Sequence, residues 1–398
     1  MVIFCSILFW GCLSFLIPKK YIRMYMIVAS VGLSSLYFFF RPPMAYDLYR
    51  HYEMLHILRK YDLLTAFSGK LNKYSDLIKS FQEGAPVYLF YAYMISLLHI
   101  DQLLPVITGI IIYTSVSGII MMAVEDIGGD IEDWKISFCF FFLLAMLDFR
   151  TISGLRNMTT YALFAYVLYK DLVRKSNKLL CFMAYGTLAA IHSSIFVLII
   201  VRLLVELDRF IPVIVLSLVA LLTLPFINII LNFAKNFSHI PILQALIVKI
   251  EIYGFGYGTK YNFYRGTIQL IFTVFFLLFY LYCKKNIQQS DQFQRYGRYL
   301  LIFIMYTLGA IQQYDIFVRG NILMYFMILP FLLLFLHYII GKTPLEMFLP
   351  ETSLIGFNEL LLYLMIFIVI AISFKLYLPD YYRPMDSGMV FSIQQIGF

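Results

Sequence analysis

The stretch that decides the fold is "LLPVITGIIIYTSVSGIIMMAV", residues 103–124. It contains no charged residue, and its length matches the roughly 20 residues that an α-helix needs to cross a bilayer. Because the bilayer core offers no water to backbone groups, such a run crosses as a helix, whose hydrogen bonds are internal. We therefore predict that residues 103–124 form a membrane-spanning α-helix.

Similar apolar segments recur along the whole chain. Hydrophobic residues make up 62% of the 398 residues and charged residues only 14%, whereas a soluble domain carries about 25% charged residues. We predict an all-α fold, a polytopic helical bundle with about 11–13 membrane segments, in one transmembrane domain over residues 1–398. The apolar segments are 2–17, 24–40, 85–98, 103–124, 136–148, 157–169, 179–201, 211–231, 266–283, 299–314, 320–340 and 358–378.

Positive charge is concentrated in the short interruptions between these segments. The net charge of +8 is carried by stretches such as "PKKYIR" (18–23), "KDLVRKSNK" (170–178) and "CKKNIQQ" (283–289). An excess of Lys and Arg in short loops marks the cytoplasmic face of a membrane protein. The charge therefore predicts contact with anionic lipid headgroups, and no nucleic-acid partner.

If these basic loops are all cytoplasmic, the number of apolar segments between consecutive loops does not fit their assigned sides in two places. Two segments must therefore depart from a single full crossing of the bilayer. One is 85–98 or 136–148, because about 13 or 14 apolar residues are short for a span. The other is 179–201, which we predict to break into two short helices at His192. Unusual polar residues then collect on the outer face, in the loops 41–84 and 232–265 and near 150–156, 192 and 315–319.

Two arginines flank a candidate helix start in "LDFRTISGLRNMTTYALFAYVLYK", residues 147–170. On an unbroken helix Arg150 and Arg156 would point about 120° apart, whereas a break at Ser153 or Gly154 would let both face inward. A guanidinium is always charged and binds phosphate oxygens bidentately. The pair is therefore a candidate anion clamp, and the alternative is snorkelling of both side chains to lipid headgroups.

Two residues are candidates for a general base. His192 lies deep within an apolar segment, and imidazole titrates near neutral pH, so it is the first candidate. Asp47 in "AYDLYRHY" (45–52) is the second, unless it orients an arginine. The alternatives are a histidine that packs at a helix break or bonds across helices, and a solvated amphipathic face for Asp47.

Further cations extend the candidate clamp. Arg319 in "QQYDIFVRGNILMYF" (312–326) and Arg50 in the Asp47 stretch are candidates to contact the same anion. Arg319 instead has an alternative partner in Asp315, one helical turn earlier. The alternative for Arg50 is a position on the solvated face of an amphipathic helix.

A third candidate contact surface is the glycine- and tyrosine-rich stretch "YGFGYGTKYNFYRG", residues 253–266. Its glycine spacing does not match a nucleotide-binding loop. Aromatic faces suit stacking on a sugar ring, and the alternative is an aromatic belt at the membrane interface. The candidate substrate contacts are Tyr257, Lys260 and Arg265.

Motifs for metals and cofactors do not occur in the sequence. There is no HExxH, no carboxylate-rich metal loop, no Walker motif and no GxSxG. The five cysteines are scattered without ligand spacing and are typical of small buried hydrophobic residues. We predict no cofactor and no metal.

In this order the elements resemble the EpsG family and the wider Wzy-type polymerases of bacterial polysaccharides, which make O-antigen, exopolysaccharide or capsule. Four stretches carry the resemblance over most of the chain: "AYDLYRHY", "LRNMTTYALFAYVLYK", "AAIHSSIFVLI" and "VRGNILMYFMILP". Arg156 matches the arginine that opens a helix in the family, whereas Arg150 departs from the pattern.

The resemblance implies a GT-C-like, multi-pass protein of the bacterial inner membrane with its active site facing the periplasm. It implies transfer of a glycan from undecaprenyl diphosphate to the non-reducing end of another lipid-linked repeat unit, and a partner that regulates chain length. The arginine clamp would stabilise the departing diphosphate in place of Mg²⁺, and His192 or Asp47 would take the proton of the acceptor hydroxyl. Direct displacement would invert the anomeric centre.

Three other classes stay open from the sequence. An O-antigen ligase-like transferase also uses an arginine-rich periplasmic site, and a membrane acyltransferase shares the architecture. A flippase or transporter of the lipid-linked unit would show internal repeats and charges in both halves, and the sequence shows no repeat. These features favour the polymerase.

Overall fold

Helix is the secondary structure of the chain throughout the residues that the computed structural model describes. These are residues 2–39, 47–67, 85–128, 131, 133–146, 154–227, 232, 235, 263–287 and 290–338. No strand occurs within these ranges. The predicted all-α class is therefore confirmed for this part of the chain.

The chain divides into two compact units. The first takes in Met1–Asp171, Lys175–Phe196 and Leu332–Phe398. Its helices are α1 (Val2–Leu13), α2 (Lys19–Ser35), α3 (Asp47–Leu58), α4 (Leu63–Phe67), α5 (Pro86–Ser96), α6 (Leu103–Ile127), α7 (Asp133–Met146), α8 (Leu155–Leu172, except its last residue) and α9 (Lys178–Ile191). Within this unit α2 packs against α6, α1 packs against α7, and α5 contacts α3, α6 and α9.

The second unit takes in Leu172–Arg174 and Val197–Phe331. Its helices are most of α10 (Ile195–Leu204), α11 (Val213–Thr223), α12 (Phe263–Asn286), α13 (Asp291–Gly309), α14 (Tyr314–Met327) and the first residues of α15 (Leu329–Tyr338). The central helix is α13, which packs against α11, α12 and α14. A buried hydrogen bond of 2.7 Å from Thr273 Oγ1 to Asn321 Oδ1 joins α12 to α14.

Three described helices are long and apolar enough to cross a membrane: Lys19–Phe39, Leu103–Ile127 and Gly266–Asn286. A fourth span is possible if α14 and α15, which bend by 43° at their junction, count as one. The helix predicted at 103–124 is thus confirmed as part of α6. In the segments expected to be short, α5 has 11 residues and α7 has 14. The count of 11–13 membrane segments, the GT-C-like class and the single domain stay predictions.

Two of the three basic stretches predicted as loops, 18–23 and the described part of 283–289, are largely helical, so the prediction is wrong there. In the third stretch, residues 173–177 are non-helical, as predicted. The helix α2 already begins at Lys19, α12 continues to Asn286, and α13 resumes at Asp291. Lys and Arg are good helix formers. In addition, the positive charges of Lys284 and Lys285 in the last turn of α12 interact favourably with the negative, C-terminal end of the helix dipole. The predicted outer loop 41–84 likewise contains α3 and α4.

A close approach between α11 and α13 depends on Gly309. A Cβ atom at this position would lie 2.1 Å from the carbonyl oxygen of Leu221. The two backbones therefore meet at a residue without a side chain, which is the usual way in which membrane helices come close.

We expect Gly309→Ala to destabilise the protein by about 1–3 kcal/mol, because the added methyl group forces two packed helices apart. The measurement is the apparent melting temperature of the purified protein in detergent. Gly186→Ala on α9 is the matched control, since its Cβ would meet nothing within 4 Å and alanine favours helix. Equal melting temperatures for the two variants would contradict the expectation.

Candidate functional site

A carboxylate and an imidazole lie on neighbouring positions of α3. The buried positions of this helix recur at helical spacing and form the face that contacts α5. Asp47 precedes His51 by four residues, so that the two side chains are neighbours. The distance from His51 Nε2 to Asp47 Oδ2 is 3.5 Å. The buried positions are Leu48, His51, Met54, Leu55 and Leu58.

Tyr88 on α5 joins this pair to an arginine. Its hydroxyl oxygen lies 3.1 Å from His51 Nδ1, and the two rings meet edge to face with centroids 5.2 Å apart. The guanidinium carbon of Arg156, on α8, lies 5.7 Å from the centroid of the Tyr88 ring, a cation–π distance. Three helices therefore contribute to one polar cluster: Asp47, His51, Tyr88 and Arg156.

Burial and charge set the protonation state of His51, and its two neighbours set which ring nitrogen carries the proton. Burial lowers the pKa of His51 and outweighs the hydrogen bond and charge of Asp47, which act to raise it, while the charge of Arg156 has a smaller lowering effect. The imidazole is therefore neutral at pH 7. A carboxylate only accepts hydrogen bonds, so we assign the proton to Nε2, which faces Asp47. Nδ1 then accepts a hydrogen bond from the Tyr88 hydroxyl.

Asp47 is the open member of the cluster. Its side chain is 46% exposed, whereas that of His51 is fully buried. Burial of the carboxyl group acts to raise the pKa of Asp47. The hydrogen bond from His51, together with the charges of Arg156 and Arg50, outweighs burial and leaves this pKa below its ordinary value. Asp47 is therefore an ionised carboxylate, held from behind by His51 and accessible from outside.

Arg156 lies in the first turn of α8. The helix begins at Leu155, directly after Gly154, whose carbonyl oxygen accepts the backbone N–H of Met158 at 3.1 Å. A helix N-terminus disfavours a cation and favours an anion. Two sources of positive potential therefore coincide here. The adjacent Asn157 Oδ1 is buried and accepts no hydrogen bond from the described residues.

His192 occupies a break between two helices, as the sequence predicts. The helix α9 ends at Ile191, His192 has an extended backbone, and α10 begins at Ile195. His192 Nδ1 accepts the backbone N–H of Ser194 at 3.2 Å and lies 2.7 Å from Ser194 Oγ. Because a backbone N–H can only donate, Nδ1 is unprotonated and its lone pair is occupied. In the neutral form of His192 the proton is then on Nε2, which makes Nε2 a hydrogen-bond donor.

His192 is also connected to the helix that carries Arg156. Ser194 Oγ lies 3.4 Å from the hydroxyl oxygen of Tyr161 on α8. The geometry at Nδ1 favours Asp47 over His192 as a general base. A role for His192 as a donor through Nε2 is compatible with the same geometry.

The structure brings together some of the residues predicted for the site. Asp47 and Arg156 belong to one cluster, and the charge of Arg50 acts on Asp47. Arg319 lies half-buried on α14 in the second unit, and its role stays a prediction. Arg150, Tyr257 and Lys260 lie outside the described residues, and Arg265 belongs to α12 with its side chain outside them.

Two members of the cluster were missed by reasoning from the sequence. His51 carries a recognisable signal, because it follows Asp47 by four residues and shares its helix face. Tyr88 carries none, since it is one of 32 tyrosines and reaches His51 only through the packing of α5 against α3. Comparison of the chain with protein families, with curated proteins and with solved structures finds no match.

Apolar helices of spanning length and an all-helical described part indicate a membrane protein. The candidate site adds a carboxylate open to solvent, a buried histidine and tyrosine behind it, and an arginine at a helix N-terminus. This combination is suited to handling an anionic group and a proton at one place.

Acidification from pH 7.5 to 5 is expected to destabilise the wild-type protein more than His51→Gln. The folded pKa of His51 lies below the ordinary value of about 6.5, so below that pH the unfolded chain binds a proton that the folded chain does not. Stability is full above about pH 6.5 and falls as the pH drops toward the folded pKa. Asp47, with a lowered pKa, stays ionised in this window. Melting temperatures at several pH values test this, and parallel slopes for the two proteins would refute it.

Proposed function

We propose that the chain is a polysaccharide polymerase of a bacterial inner membrane. It would transfer an undecaprenyl-diphosphate-linked glycan onto the non-reducing end of another lipid-linked repeat unit, at the outer leaflet. The observation that carries the proposal is the proximity of the ionised, exposed Asp47 to Arg156, since this transfer needs a base and a diphosphate contact side by side. The resemblance to EpsG and Wzy-type polymerases supports it through the same two stretches.

The donor diphosphate would bind at Arg156. Its guanidinium can hold two phosphate oxygens at once, and the N-terminus of α8 adds positive potential at the same place. As the bond between the anomeric carbon and the diphosphate oxygen breaks, the electron pair leaves with that oxygen. A fixed guanidinium stabilises the developing charge without reorganising.

The acceptor hydroxyl would lose its proton to Asp47. Its oxygen forms the new bond to the anomeric carbon as the diphosphate leaves from the opposite side, so the configuration inverts. His51 Nε2 lies 3.5 Å from the carboxylate, and the Tyr88 hydroxyl contacts the ring at Nδ1. Their part is to position Asp47, since both are buried.

Donor binding would also strengthen the base. The charge of Arg156 lowers the pKa of Asp47, and a bound diphosphate would offset that charge. The pKa of Asp47 would then rise toward the range in which a carboxylate takes up a proton more readily. Asp47 is therefore expected to be most basic in the loaded enzyme.

The function is tested with the purified full-length protein and synthetic lipid-diphosphate repeat units in detergent, without added nucleotide. We expect chain growth, seen as a ladder on a gel. Transfer of the glycan only to a lipid A core acceptor would instead indicate the ligase class. Movement of the same lipid across vesicles without any transfer would indicate a transporter and overturn the proposal.

A further inference from the structure

A polar depression in the second unit lies far along the chain from the cluster around Asp47. Its volume is about 750 Å³, and it is bounded by the 3-10 helix Val205–Arg209, the end of α12 and the first two turns of α13. Its polar lining includes Asp208, Lys284, Lys285, Asn286, Asp291 and Arg298. The end of α12 is also the end of the candidate span Gly266–Asn286, so the depression lies where a span would reach the headgroup layer.

Both acidic groups of the depression have local compensation. Arg298 donates a hydrogen bond to Asp208 and forms an ion pair with it. Asp291 lies in the first turn of α13, where a negative charge is favoured by the helix dipole. Lys284 and Lys285 are exposed and form no ion pair within the described residues. The charge left available to a ligand is therefore positive.

An apolar stripe leads along α12 to these lysines. Leu278 is 58% exposed and Leu281 is 43% exposed, and the spacing of three and four residues places Leu278, Leu281 and Lys285 on one face of the helix. On the other side of the depression, Ile214 is 67% exposed, directly after the lining residue Val213. Cationic groups at the end of an exposed apolar stripe match a ligand with a phosphate at one end and an acyl chain behind it.

We propose that this depression binds the phosphate of an anionic phospholipid through Lys284 and Lys285, with an acyl chain along Leu278 and Leu281. The shared chemistry is a phosphate group, which a free phosphate ion would also supply. The apolar stripe selects the lipid, because an ion in water makes no use of Leu281. Basic pockets at the ends of membrane helices bind headgroups of this kind.

The test is binding of phosphatidylglycerol to the detergent-purified full-length protein, measured by native mass spectrometry. At about 1 kcal/mol for each lysine near a charged surface, Lys284→Gln/Lys285→Gln is expected to bind roughly 30-fold more weakly. The matched control is Lys19→Gln/Lys20→Gln, which removes the same charge at the start of the candidate span Lys19–Phe39 and should lose much less binding, because only general headgroup attraction acts there. Equal losses of phosphatidylglycerol binding in both double variants would mean that any pair of surface lysines has the same effect, and would overturn the site.

A second variant separates the two sources of phosphate. Leu281→Asn is expected to weaken binding of phosphatidylglycerol while leaving the weaker binding of glycerol phosphate unchanged. Displacement of the lipid by inorganic phosphate at a similar concentration would overturn the lipid assignment. Because neither readout involves glycan transfer, the outcome does not depend on the proposed function.

Discussion

Asp47→Asn is expected to reduce the rate of glycan polymerisation by about 100- to 10,000-fold, the usual contribution of a general base. The amide keeps the size of the side chain and a hydrogen-bond acceptor for His51, but it has no lone pair basic enough to take the proton of a hydroxyl. Because Asp47 is nearly half exposed, the change costs little packing. The measurement is the initial rate of chain growth at saturating donor, together with the melting temperature.

Two controls accompany Asp47→Asn. Glu53→Gln removes one carboxylate from an exposed position of the same helix and should leave the rate unchanged. His192→Gln keeps a nitrogen donor near the position of Nε2 and is expected to retain more activity than Asp47→Asn, because Nδ1 of His192 already accepts from Ser194. If His192→Gln is the more damaging change in stable protein, the base is His192 and the assignment to Asp47 is wrong.

Arg156→Gln is expected to lower kcat by about 100- to 1,000-fold, comparable to the loss of one fixed donor to a developing oxyanion. Arg156→Lys should fall between Gln and the wild type, since an ammonium keeps the charge but loses the bidentate fork. The pH–rate profile of kcat/KM gives a second readout. The charge of Arg156 lowers the pKa of Asp47, so its removal moves the acid limb to higher pH, whereas Arg156→Lys keeps the limb nearer to its wild-type position.

Arg23→Gln is the matched control for Arg156→Gln. Its side chain is 71% exposed and lies 4.0 Å from Glu125, a surface pair that contributes little to stability. It should change neither kcat nor the pH profile. A normal kcat in Arg156→Gln would contradict the contact of Arg156 with the diphosphate. An acid limb that does not move would contradict its effect on the pKa of Asp47.

Hydropathy and the local chemistry of the sequence were enough to predict several features of the structure. The uncharged run at 103–124 lies within α6 because backbone groups in an apolar segment are best paired inside a helix. The break at His192 and the helix start beside Arg156 were also accessible, since short polar interruptions mark them in the sequence. The residues at which the basic loops begin and end could not be predicted, because Lys and Arg continue a helix as readily as they end an apolar run.

The sequence by itself determined the helical class, the apolar helix at 103–124 and the identity of Asp47 and Arg156 as residues worth testing. Only the tertiary structure decided that Tyr88, 41 positions after Asp47, contacts both His51 and Arg156. The packing of α5 against α3 sets this contact, and no periodicity within either helix encodes it. For the proposed reaction, the tertiary structure also favours Asp47 over His192 as the base. The hydrogen bond at Nδ1 occupies the lone pair of His192, whereas the neutral His51 behind Asp47 leaves that carboxylate ionised and open.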